Sequence, residues 1–168
     1  MRIFTLVLFA ALLAGRLPAA DIRPLDLSSG ANSAFADETA DDRRGGWTDQ
    51  GANDLRLLKS GVQTLGGVPF SILDDGRSGG KSCIVLAAAE NRNYLPKQAR
   101  VELSEPLSGR KLYLLHAGAW LNPKKNLVGR LTVEYADGRT KEFRIRAGRD
   151  VADWWSNAGE KNAVRIWS

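Results

Sequence analysis

The sequence is poor in the residues that build most catalytic and metal centres. Its 168 residues include one cysteine, Cys83, one histidine, His116, and one methionine. A single cysteine excludes an internal disulfide framework, so the domain must rest on its own packing. Cys83 lies in the apolar run Ser82-Cys83-Ile84-Val85-Leu86, which assigns it as a buried thiol acting as a small hydrophobe. A zinc site would need more histidine or cysteine ligands than these two residues provide. His116 has no Gly-x-Ser-x-Gly elbow to serve as a base, so it reads as structural. Gly79-Gly80-Lys81-Ser82 carries only the tail of a phosphate loop and precedes a strand-like run rather than a helix.

Long hydrophobic runs are scarce too, with one exception at the start. Met1-Arg2 gives a positive end, Ile3 to Ala14 is apolar, and Leu17-Pro18-Ala19-Ala20 supplies small residues. That is the layout of a secretory signal peptide, too short for a membrane span. The expected organisation is therefore a signal peptide over residues 1–20, cleaved near Ala20, and one domain over residues 21–168. The expected location is periplasmic or extracellular. Removing Arg2 and Arg16 from the 24 basic residues leaves 22 against 19 acidic, a net charge of +3. These charges are interspersed, without a block of five of one sign, so no nucleic-acid partner is expected.

No sustained helical stripe runs through the rest. Short apolar stretches recur instead, separated by Gly, Pro, Asn and Asp turns. Strands are expected near 21–27, in Val68 to Leu73 after a Gly-Gly bend, and in Ser82 to Ala89 as a central strand. Others are expected at Arg100 to Leu103, at Lys111 to His116 with both faces buried, and at Val164 to Trp167. The clearest hairpin alternates Leu131, Val133 and Tyr135, turns at Asp137-Gly138 and returns through Phe143 and Ile145. Eight or nine such strands predict an all-β fold, an antiparallel β-sandwich or jelly roll. The chain stops at Ser168 inside or just after a strand, so the sandwich is expected to lack its last strands and expose an edge.

One stretch fits neither period. Asp37 to Arg56 holds five aspartates, three arginines and a tryptophan among glycines. It is too polar for a core and too specific for a linker. A long ordered loop needs side-chain hydrogen bonds or an ion to hold its backbone. Asp37, Asp41 and Asp42, with Asp49 and Asn53 nearby, offer the oxygens that calcium takes, though not at EF-hand spacing. The same aspartates also suit plain turn formation. A glycosidase would need two carboxylates on opposite sides of a sugar, whereas these all fall in one loop.

Tryptophans 47, 120, 154 and 155 fall in predicted loops. The C–H face of a sugar packs on an aromatic ring, while its hydroxyls bond Asp, Asn, Gln and Arg side chains. Trp47, Asp49, Gln50, Asp54 and Arg56 are the candidate carbohydrate-binding residues. The competing reading has these tryptophans capping a sandwich core, most of all Trp120 and Trp154.

Asp26-Leu27-Ser28-Ser29, Ala31-Asn32, Phe35-Ala36-Asp37-Glu38, Asp41-Asp42, Gly45-Gly46-Trp47-Thr48-Asp49-Gln50-Gly51 and Asn53-Asp54-Leu55-Arg56 form one long motif. Gly66 to Phe70, Leu112 to His116, Tyr135 to Gly138 and Gly148 to Val151 with Trp154-Trp155 continue it in order. The chain resembles the galactose-binding-domain-like β-sandwich modules attached to secreted bacterial glycoside hydrolases. The resemblance implies a non-catalytic module that binds a polysaccharide or glycan at loops on one end of the sandwich. It also implies a structural calcium and a glycoside hydrolase catalytic domain as partner. The alternatives are a purely structural module packed on such a domain, or a small glycoside hydrolase using the loop carboxylates.

Overall fold

A computed structural model describes residues 22–44, 46–87, 92–121, 127–156 and 160–166. The expected signal peptide, the end of the 82–89 run and Trp167 lie outside the described residues. Among those described there is no α-helix; the elements are a 3-10 turn, Ser28–Gly30, and four strands in two antiparallel pairs. No helix there is long and apolar enough to cross a membrane.

The first pair joins β1 (Gly61–Leu65) to β2 (Val68–Ile72). Leu65 pairs with Val68 across Gly66-Gly67, and both glycines have positive φ, 58° and 79°. A two-residue hairpin loop with that geometry matches the right-handed twist of its strands, and glycine adopts it without steric cost.

The second pair joins β3 (Leu127–Glu134) to β4 (Thr140–Arg146), with Leu131 opposite Phe143 and Gly129 opposite Ile145. Its turn is the expected Asp137-Gly138. The Tyr135 N–H donates to Arg139 C=O at 2.8 Å, and Gly138 takes the left-handed position at φ 81°. The alternation gives one apolar face, with Leu131, Val133, Phe143 and Ile145. The other face carries charge, with Arg130 and Arg144 at 3.6 and 3.7 Å from Glu142.

The remaining expected strands form no ladder among the described residues. The 82–87 run is held by a single bridge between Cys83 and Ser33. Asn32 extends that bridge, since its side-chain amide exchanges both hydrogen bonds with the Val85 backbone, at 2.9 and 2.8 Å. Lys111 to His116 was expected to be covered on both faces, but Leu112, Tyr113 and Leu114 are 44–47% exposed. A run with apolar side chains on both faces needs a layer on each side, and no described element supplies one.

Burial is concentrated elsewhere. The buried apolar residues are Ile72, Ala147 and Val151, whereas Ser33, Asp37, Thr48, Asp49 and Ser82 are buried polar residues. Thr48 and Asp37, 1% and 2% exposed, are the most deeply buried of these residues, and both lie in the aspartate-rich loop.

Candidate functional site

The loop from Asp37 to Arg56 closes on itself through its own side chains. Asp37 donates its N–H to Asp54 Oδ2 at 2.7 Å, and its Oδ2 accepts the Gly51 N–H at 2.7 Å. Arg56 grips Asp54 through Nε and Nη2 and reaches the Asp37 carbonyl through Nη2 at 2.7 Å. The Asp54 side chain is 0% exposed. Burial pushes its carboxyl up, but hydrogen bonds from the Arg56 side chain and from the Arg56 and Asp37 N–H groups outweigh this. They hold it below its ordinary 3.8. Gly46 completes the closure: its N–H donates to Ala36 C=O at 2.9 Å, and a Cβ there would lie 2.3 Å from Asp37 Cβ.

Beside this knot lies a cleft of about 420 Å³ lined by Ala40, Asp41, Asp49, Gln50, Asn53, Arg92 and Trp120. A smaller hollow shares Asp41, Asp49 and Arg92 with it and is bordered also by Arg43 and Tyr94. Asp49 Oδ2 accepts from Arg92 Nη1 at 3.3 Å and from the Tyr94 hydroxyl at 3.1 Å. The Arg92 guanidinium also lies over the Trp120 ring at 4.2 Å. Trp120 remains 51% exposed. Asp41, Gln50 and Asn53 differ from these. No described group bonds their side chains, and Gln50 Oε1 is buried without a hydrogen-bond partner among the described residues.

Backbone strain falls in the same place. Four described residues other than glycine have positive φ: Asp41 at 60°, Arg43 at 63°, Asp49 at 57° and Trp120 at 54°. Each borders the cleft or the adjoining hollow. Left-handed backbone at a β-carbon-bearing residue costs free energy, and such residues cluster where a site holds a required geometry.

The structure distributes the candidate residues over three roles. Asp49 and Gln50 line the cleft. Trp47 instead packs edge-on against Trp154, with ring centroids 5.1 Å apart. Asp54 and Arg56 are the clasp of the loop. Of the candidate metal ligands, Asp37 and Asp42 converge with Asp49, offering carboxylate oxygens within 4.8 Å of one another, while Asp41 lines the cleft. That spacing would let the three carboxylates share one metal ion, and an all-oxygen set suits a hard cation. A metal there would share Asp49 with Arg92 and Tyr94.

Arg92, Tyr94 and the placement of Trp120 escaped the sequence reading. Arg92 and Tyr94 sit in a polar stretch without a periodic signal, and Trp120 read as a core cap. Cys83 stays out of the chemistry. Burial pushes its thiol up to about 12, and it faces the carbonyls of Ser33 and Ala34. Comparison with protein-family models, with curated proteins and with solved structures finds no match.

Proposed function

We propose that the protein is a secreted, non-catalytic carbohydrate-binding module whose two hairpins belong to a galactose-binding-like β-sandwich or jelly roll. The observation that carries this reading is the cleft. Three polar side chains without partners among the described residues, Asp41, Gln50 and Asn53, line one open cleft together with the half-exposed Trp120. A sugar meets both needs: its hydroxyls donate to the carboxylate and amide oxygens, and its C–H face covers the indole. The volume suits a small ligand. The glycan is a neutral one, because the one cation among the described residues lining the cleft, Arg92, is already neutralised by Asp49 at 3.3 Å. The hydrolase alternative is disfavoured by the same pairing, which leaves Asp41 as the single uncommitted carboxylate among the described residues of the cleft. A structural calcium at Asp37, Asp42 and Asp49 belongs to this reading as the brace of the loop.

A second reading is favoured by a separate observation. Phe143, Leu112 and Leu114 are 41–47% exposed. That fits an accessory module whose apolar face is covered by a glycoside hydrolase domain. The two readings part at the cleft. Trp120→Ala and Asp41→Asn are expected to weaken binding to a neutral polysaccharide at least tenfold, about 1.4 kcal/mol, with the far-UV circular dichroism unchanged. Retention equal to that of the unaltered protein in affinity electrophoresis would remove the cleft from the account and leave the packing role.

A further inference from the structure

Trp155 is the most exposed aromatic ring of the described chain, at 63%, yet it is not loosely held. Its ring lies 4.8 Å from that of Trp154, which abuts Trp47 edge-on. The indole nitrogens of Trp47 and Trp154 are buried, so of these three rings Trp155 is the one presented to solvent.

The backbone of Trp155 is tied to the Trp120 loop. Asp153 Oδ1 accepts the Trp155 N–H at 3.1 Å, and Asp153 Oδ2 accepts the Leu121 N–H at 3.0 Å. One carboxylate thus holds both tryptophan-bearing loops. Two backbone bonds run alongside it: Gly118 N–H to Ala152 C=O at 3.2 Å and Trp154 N–H to Gly118 C=O at 2.8 Å. Adding the two bond lengths across one carboxylate limits the separation of the Trp120 and Trp155 Cα atoms to about 12 Å.

We infer that Trp155 is a second aromatic subsite, fixed relative to the Trp120 cleft by Asp153, and that the ligand is a stretch of neutral glycan chain longer than one sugar. This rests on the carbohydrate reading of the cleft and extends it. A monosaccharide fills the cleft alone. A longer chain leaves the cleft and lays a further ring on Trp155, and the rigid link between the loops spares the entropy of ordering them on binding.

The test is calorimetric titration of the whole chain with neutral gluco-, xylo- and galacto-oligosaccharides of one to six units. Affinity is expected to rise with length for the series that binds. Trp155→Ala is expected to weaken the hexasaccharide about fivefold to tenfold while leaving the monosaccharide within about twofold. Trp155→Phe, which keeps a ring, is expected to restore most of the loss, and Trp120→Ala to weaken every length. Affinity independent of length, a hexasaccharide indifferent to Trp155→Ala, or an equal loss at every length would overturn the second subsite while leaving the cleft intact. No binding of any series by the unaltered protein would overturn the carbohydrate reading, and the subsite with it.

Discussion

The β3–β4 hairpin holds the longest regular ladder in the described molecule, while the 37–56 loop, without a strand or helix, holds its most deeply buried side chains. In the hairpin the backbone satisfies itself, strand to strand, so its side chains remain partly open even on the apolar face, where Phe143 is 41% exposed. In the loop the backbone has no ladder. Several of its N–H groups go instead to Asp37, Asp42, Asp49 and Asp54, and the carboxylates of Asp37, Asp49 and Asp54 are buried while Asp42 stays exposed. Buried polar groups must be paired, so a loop that pairs them with its own side chains becomes a rigid body without regular structure. Such a body can hold side chains such as Asp41 and Gln50 in fixed, uncommitted positions, which a binding site needs.

Glycine substitutions break the comparison most sharply. Gly46→Ala puts a Cβ 2.3 Å from Asp37 Cβ at φ 40° and is expected to cost about 3 kcal/mol in urea unfolding. Next in size is Asp54→Asn. It weakens the acceptor for Arg56 and the Asp37 N–H and is expected to cost about 2 kcal/mol.

The same residue sets a pH response. Its folded-state carboxyl lies below the ordinary 3.8, so the stability it contributes is present above 3.8 and is lost as pH falls through the folded value. Asp54→Asn should flatten that part of the acid unfolding profile, and an unchanged profile would show that the clasp carries no charge-linked stability. The smallest effect is expected in the hairpin turn. Gly138→Ala meets nothing within 4 Å and pays only for φ 81°, about 1 kcal/mol. Equal costs at Gly46 and Gly138 would erase the distinction between the two regions.

The β3–β4 hairpin was legible in the sequence because its signal is local: Asp137-Gly138 sits between alternating residues, and the turn falls where expected. Strand β2 was expected after the Gly66-Gly67 bend, whereas its partner β1, a short run of mixed polarity, was not. The importance of the 37–56 stretch was legible from composition. The assignment of its residues was not. Asp54 and Arg56 read as ligand contacts but clasp the loop, Asp41 moves from the expected metal ligands to the cleft wall, and Asp49 serves both cleft and carboxylate cluster. Aspartate chemistry suits every one of these duties, and only the backbone path decides between them. Arg92 reaches Asp49 across 43 positions of sequence, a contact that no local pattern encodes.

The most direct test of the account is amide chemical-shift mapping of the protein titrated with the tightest-binding neutral oligosaccharide. The account predicts that the shifts gather at residues 40–53, at Arg92 and at residues 118–121, with Trp155 joining for chains of several sugars, while the β3–β4 hairpin stays still. Shifts confined to the hairpin, or no shifts with any sugar, would contradict the central claim that the polar loop is the binding element.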